Sequence, residues 1–219
     1  APPPPVWVKQ ILLENIRLIF EDQALEWNIQ LDDIDLEIED LTVVEGSKTF
    51  CSSLKSRFPN IEVVHSLFED FRPTRRYANI ILGHVLEHVL EPVDLLRGLG
   101  PMLLPEGRVL CAVPNSRSIH RQAAVIMSIL QTESSLNEAD RHHGHRRVYN
   151  PESFRAEFLQ AGFAIERFGG YWLKPLSNTQ IESSWTTEMI DAFFQLGERY
   201  PDIAAEIYVV ARCNHRVES

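Results

Sequence analysis

The apolar positions of this chain change their spacing several times, and each change marks an element. Ile80, Ile81 and Leu82 form a continuous apolar run, the pattern of a strand buried on both faces. The run breaks at Gly83 and turns polar at His84, Glu87 and His88; residues 92–104 then carry leucines at helical spacing. A buried strand that ends in glycine and sends polar side chains into the turn before a helix describes the carboxyl edge of an open α/β sheet, where ligands bind. Similar units flank it. Residues 41–45 read as a short strand, and Ser47 can cap a helix running to Phe58, which Pro59 and Asn60 end. Strands follow at 61–65 and 108–113, and a helix at 151–161 has Pro151 at its start and Gly162 just past its end. The spacing predicts a strand at 163–168, a break at Gly169 and Gly170, a helix at 187–197 and a closing strand at 203–212. Strands alternating with helices at short intervals predict a parallel sheet with crossover helices.

The ends of this series are less regular. Pro2–Pro5 is a polyproline lead. Val8, Ile11, Leu12 and Ile16 suit an amphipathic helix over 6–16, and residues 16–20 suit a strand. Residues 24–40 fit either class: Ile34, Leu36 and Ile38 alternate with acids as in a strand, while the earlier part suits a helix. Residues 118–130 predict a helix, followed by a polar stretch to Asn150.

Charge is distributed unevenly. Residues 1–45 hold eleven acids against Lys9 and Arg17, which accounts for −9 of the net −10. Phosphate contact needs basic residues, so nucleic acid is not an expected partner. No apolar run approaches the ~18 residues of a membrane span, and the first residues lack the basic start of a signal peptide. Cys51, Cys111 and Cys213 are odd in number and far apart, the usage of a reduced, cytoplasmic protein.

Residues 84–89 read HVLEHV, followed by Pro92, Leu95, Leu99, Leu104-Pro105, Gly107 and Val113-Pro114-Asn115; residues 144–149 read GHRRVY and run into Ala161-Gly162-Phe163. In this order the motifs resemble the class I S-adenosylmethionine-dependent methyltransferases, in the branch that acts on small molecules, over about residues 41–212. The resemblance implies an α/β, Rossmann-like, mostly parallel twisted sheet with helices on both faces, an antiparallel last strand and a helical lid at about 116–150. It divides the chain into an acidic segment, 1–40, and a methyltransferase-like domain, 41–215. It implies S-adenosylmethionine as cofactor. Glu45 matches the acid that holds the ribose hydroxyls, with Gly46 beside it; Leu67 and Phe68 match the turn flanking adenine; Gly83 and His84 match the lining of the methionine part. One departure stands out. The family places a Gly-rich turn after its first strand, and this chain has no glycine before Gly46. With residues 16–20 as that strand, the turn falls on Glu21, Asp22 and Gln23, and cofactor binding is expected to be weakened or lost.

The expected reaction is methyl transfer to a small-molecule acceptor. The alternative is a methyltransferase-fold protein without cofactor, acting as a cofactor-free enzyme or an interaction scaffold. His88, His143 and His145 are the candidate catalytic bases, because histidine changes charge near neutral pH. Arg146 and Arg147 are candidates to bind an anionic acceptor group, and Tyr171 to roof its pocket. Residues 84–88 also match H-x-x-E-H, a zinc-peptidase signature borne on a helix. Here the pair falls in a strand-to-helix turn, so no metal is expected.

Overall fold

The computed structural model describes residues 8–13, 16–23, 26–30 and 41–214, in two compact units that divide between Arg72 and Pro73. Pro2–Pro5 and the alternating acids and aliphatics of 31–40 lie outside the described residues.

The first unit opens with an antiparallel meander of β1 (Val8–Leu13), β2 (Ile16–Gln23) and β3 (Glu26–Gln30). The expected helix over 6–16 is thus a strand: its backbone groups pair with β2 from Val8 opposite Glu21 to Leu13 opposite Ile16. Four apolar positions at helical spacing are too few to decide the period when a neighbouring strand is there to pair with the segment. Next, β4 (Thr42–Glu45) and β5 (Glu62–His65) pair in parallel around the crossover helix α1 (Lys48–Arg57). Ser47 caps α1 by accepting from the Phe50 N–H. Cys51 and Leu54 of the helix pack on Val63, with Val43, Phe58 and Ile61 around them.

The second unit holds a four-stranded mixed sheet in the order β6 (Tyr77–Gly83), β7 (Leu103–Pro114), β9 (Glu206–Cys213), β8 (Phe163–Tyr171). β6 and β7 are parallel, and β9 runs antiparallel to both of its neighbours. The crossover between β6 and β7 is α2 (Pro92–Leu99), which buries Pro92, Leu95, Leu96 and Leu99. It ends five residues earlier than its leucines predict. Pro101 constrains the chain into a 3-10 turn at Gly100–Met102, and Leu103 already belongs to β7.

Between β7 and β8 come α3 (Ile119–Ile126), α4 (Glu138–His142) and α5 (Pro151–Gln160). α3 stops short of Leu130 because Ser128 takes a left-handed φ of 60° and folds the chain back, with Ile129 N–H on the Ala124 carbonyl. α5 is fixed by a capping box between Asn150 and Ser153 and buries Phe154 and Phe158 in an aromatic file from Tyr149 to Phe163. The expected break at Gly169 and Gly170 is absent; β8 runs through both to Tyr171. Those glycines make room: a Cβ at 169 would sit 2.5 Å from the Tyr208 ring, and one at 170 would sit 2.7 Å from the Pro201 backbone. After α6 (Asn178–Glu182), α7 (Thr187–Arg199) packs on the end of β8, with Leu173 N–H donating to the Phe193 carbonyl at 2.8 Å.

Candidate active site

The turn after β6 is shaped by one residue. His84 N–H donates to the Ala112 carbonyl at 3.0 Å, which extends the β6–β7 pairing past Gly83. His84 then takes a left-handed φ of 55°. A non-glycine residue held there costs of order 1–3 kcal/mol, and such strain gathers at functional sites. The bend turns residues 85–89 back on themselves as a turn rather than a helix, with Val85, Leu86 and Val89 buried and His88 N–H on the Val85 carbonyl. Glu87 is carried inward and is fully buried.

Polar groups surround His84 on both sides. Its Nδ1 lies 3.1 Å from Glu87 Oε1; its Nε2 lies 3.4 Å from the Tyr171 hydroxyl and 3.7 Å from Glu206 Oε2. Tyr171 is buried, its ring stacked on Phe194, and burial together with the Glu206 and Glu87 charges pushes its hydroxyl well up. The zinc-peptidase arrangement is therefore not formed. His84 turns toward Tyr171 and Glu206, while His88 turns to His145, ring edge to ring face at 4.8 Å.

A second set of residues closes on this turn from the segment after α4. Arg146 N–H donates to the Glu87 carbonyl at 2.8 Å and its Nε to the His88 carbonyl at 2.7 Å; Arg147 Nη2 reaches the Leu90 carbonyl at 2.9 Å. Ser116 N–H bonds the Tyr149 carbonyl, and the buried Tyr149 hydroxyl bonds Glu157 Oε2 at 2.8 Å. The two motifs legible in the sequence, 84–89 and 144–149, are thus laid side by side. Both arginines spend donors on backbone carbonyls, a part that sequence gives no sign of. His143 stands exposed, its ring 6.2 Å from that of His145.

Behind His145 lies a buried charge pair that no motif in the sequence marks. Asp140 Oδ2 accepts from Arg121 Nη1 at 3.1 Å and from Asn137 N–H at 2.9 Å, and Oδ1 lies 3.5 Å from His145 Nδ1. Burial works to raise the Asp140 carboxyl, but hydrogen bonds from His145 and Asn137 and the Arg121 charge hold it well below the usual carboxylate range. Arg121 also donates to the Glu133 carbonyl at 2.7 Å and to the Ser135 carbonyl. Asn137 and Asp140 at the spacing of a capping box were the available sequence signal. A lone acid in the apolar run 203–212 was the signal for Glu206.

Glu87, His88 and His145 form the one metal-capable group among the described residues, with candidate donor atoms all within 4.8 Å of one another. Burial lowers His88, partly opposed by the Glu87 charge.

The other expected cofactor residues belong to the first unit. Glu45 closes β4, and its Oε1 accepts from Ser47 N–H at 2.6 Å. Among the described residues its second oxygen takes no hydrogen bond, which leaves a fixed carboxylate able to accept from a diol. Gly46 passes so close to Leu67 that a Cβ would lie 3.2 Å from Leu67 Cδ2; its carbonyl bonds His65 Nε2 at 3.0 Å. Leu67 is exposed, and Phe68 opens the 3-10 turn Phe68–Asp70. These groups fit an adenosine: an anchored acceptor, a close-packed glycine and an apolar side chain free to cover a ring. The expected turn at Glu21–Gln23 is not a turn. These residues lie within β2, opposite Asn28, Trp27 and Glu26. The strand is antiparallel to both neighbours, so it does not lead into a glycine turn as the first strand of the family does.

The mixed sheet and the polar turn at the end of β6 define a class I methyltransferase fold. Residues 14–167 match the family model for a methyltransferase domain, and the chain belongs to that family of S-adenosylmethionine-dependent methyltransferases. Solved structures agree in fold. An S-adenosylmethionine-dependent methyltransferase from Mesorhizobium loti is 12% identical, with a TM-score of 0.54 over 80% of each chain. The CcbJ methyltransferase from Streptomyces caelestis is 16% identical, with a TM-score of 0.54 over 82% of this chain and 76% of that one. The plantazolicin methyltransferase BamL, solved with a triazolic desmethylPZN analogue and SAH, is 12% identical, with a TM-score of 0.52 over 80% and 68%. A comparison with curated proteins gives no match. No described helix is long and apolar enough to cross a membrane.

Proposed function

We propose that this protein methylates a small-molecule acceptor that carries a hydroxyl and an anionic group, at the turn after β6. One observation carries the reading: the 144–149 segment is bonded along residues 87–90, and this brings His88, His145 and Arg146 to one place. S-adenosylmethionine supplies a sulfonium methyl, and displacement at that carbon needs a positioned, deprotonated nucleophile. The chain's own groups suit that task. His88 and His145 face each other where a hydroxyl can be held between ring nitrogens, with His143 at the surface as a route for its proton. Arg146 and Arg147 retain guanidinium donors for an anionic group beyond those used on carbonyls. Tyr171 contributes through His84, which it touches, rather than by roofing a pocket. Glu45, Gly46, Leu67 and Phe68 are assigned to the adenosine moiety, Gly83 and His84 to the methionine moiety. BamL, solved with a small-molecule analogue, supports the acceptor class by its fold likeness alone.

A second reading, a fold that has given up its cofactor, is favoured by the antiparallel β2 and the absence of glycine before Gly46. Labelled S-adenosylmethionine incubated with hydroxylated acids, and product mass, separate the two. The first reading expects label transfer that falls at least tenfold in Arg146→Ala with the fold retained. Absence of transfer to any acceptor, in protein that also fails to bind S-adenosylhomocysteine, supports the second.

A further inference from the structure

We propose that Glu87, His88 and His145 bind one divalent transition-metal ion, and that this ion holds the acceptor hydroxyl. The inference rests on the methyl-transfer reading for its use, but the site stands on its own geometry.

The three residues come from two separate segments of the second unit, and their donor atoms lie within 4.8 Å of one another. Zn–N and Zn–O bonds of roughly 2.0–2.2 Å put tetrahedral ligands about 3.3 Å apart. Side-chain rotations that close the set by about 1.5 Å complete it.

Each candidate ligand is supported from behind, as metal ligands are. Glu87 Oε1 is taken by His84 Nδ1 at 3.1 Å. His145 Nδ1 faces Asp140 Oδ1 at 3.5 Å, leaving Nε2 for a metal, and Asp140 is itself held by Arg121 and Asn137. His88 lies against Gly144, where a Cβ would sit 3.9 Å from His88 Nδ1. An independent observation points the same way. Glu87 is fully buried, and its Oε2 has no hydrogen-bond partner among the described residues. A buried carboxylate oxygen without a partner is costly, and a cation removes that cost.

The donor set selects the ion. Two imidazoles and one carboxylate suit zinc, iron or cobalt rather than magnesium or calcium, which take oxygen ligands. Three protein ligands leave a position open, as in metal sites that bind substrate. An acceptor hydroxyl in that position loses its proton more readily, and the proton passes to solvent. The oxygen lone pair then forms the bond to the methyl carbon. The carbon–sulfur bond breaks, its electron pair stays on sulfur, and S-adenosylhomocysteine leaves. This set differs from the peptidase signature in the same pentapeptide, because His84 supports Glu87 instead of joining His88.

Chelator-treated protein titrated with cobalt(II), followed by visible absorption, tests the site. The proposal expects one equivalent bound, intense bands of a four- or five-coordinate ion, and their loss on adding zinc. Glu87→Gln and His145→Gln should each weaken binding at least a hundredfold, and Asp140→Asn about ten- to a hundredfold. His142→Gln, at an exposed neighbouring position, should leave it unchanged. Circular dichroism checks each fold; should Glu87→Gln fail to fold, His145→Gln, which is less buried, carries the test. Cobalt binding that is absent, non-stoichiometric or equal in all variants overturns the proposal. Titration of S-adenosylhomocysteine into the same metal-free protein keeps the two claims apart. Retained binding without a cobalt site sinks only the metal; a cobalt site without S-adenosylhomocysteine binding sinks only methyl transfer.

Discussion

Arg121→Met removes the charge that organises the segment between α3 and the GHRRVY motif. Arg121 is 5% exposed and holds three acceptors: Asp140 Oδ2 and the Glu133 and Ser135 carbonyls. Methionine fills much of the same volume but donates nothing. Asp140 is then left buried beside the Asn137 cap with one cation fewer. Breaking a buried pair from one side costs roughly 3–5 kcal/mol, most of it from the partner left behind. For a protein of this size each kcal/mol moves Tm by about 2–4 °C, so the loss predicts a fall of about 6–20 °C if the segment unfolds with the rest. If it opens alone, Tm moves little and amide exchange across 133–145 speeds up instead, by about a hundredfold or more at the lower bound. Thermal melts and hydrogen exchange, measured together, cover both outcomes. Arg121→Met,Asp140→Asn should recover part of the loss, since the orphaned charge is gone. A single variant with Tm within about 2 °C of wild type and unchanged exchange across 133–145 would show that the pair does not organise this segment.

Two further predictions concern stability. Burial lowers His120 from 6.5 to about 3, with the Lys174 and Arg121 charges adding to it. The ring is neutral in the fold, so between those values the unfolded chain binds a proton that the native state does not. Stability therefore falls as pH drops from 6.5 toward 3, by up to about 1.4 kcal/mol per unit, and the group has no effect above that window. His120→Gln should flatten this slope in urea melts across pH 4–7, and an identical slope would contradict the assignment. Gly197 of α7 sits against β8, where a Cβ would fall 2.2 Å from Trp172 N and 2.4 Å from Tyr171 C. Backbone cannot yield as a side-chain tip can, so Gly197→Ala should cost at least ~1–3 kcal/mol; a neutral change in denaturant midpoint would show that the helix shifts freely.

Much of the second unit was legible because local signals agree there. Pro151 and Gly162 bracket α5, and the run Ile80–Leu82 does form a strand that ends at Gly83, although only Leu82 is buried and Ile81 is exposed where burial on both faces was expected. The misses share a cause: a long-range partner overrode a local sign. Gly169 and Gly170 looked like a break, yet they are the only residues small enough to pass Tyr208 and Pro201 inside a strand. Val8, Ile11 and Leu12 looked helical until β2 paired with them. The site shows the same limit. Its candidate histidines and Glu87 could be picked from HVLEHV and GHRRVY, but Asp140, Arg121 and Glu206 matter only once buried, and single-sequence patterning does not report burial of a lone charge. Arg146 and Arg147 stood out as candidates for an anionic group, and each side chain also donates to a backbone carbonyl, that of His88 and that of Leu90.

Calorimetric titration of S-adenosylhomocysteine into the wild type and into Glu45→Ala bears most directly on the function. Lost backbone contacts of a glycine turn, each worth roughly 0.5–1.5 kcal/mol, predict affinity about ten- to a thousandfold weaker than in a glycine-rich relative. The wild type should still bind one equivalent, and Glu45→Ala, which removes the anchored acceptor beside Ser47, should abolish it. No heat of binding from a well-folded wild type, or equal binding by both proteins, would contradict the account.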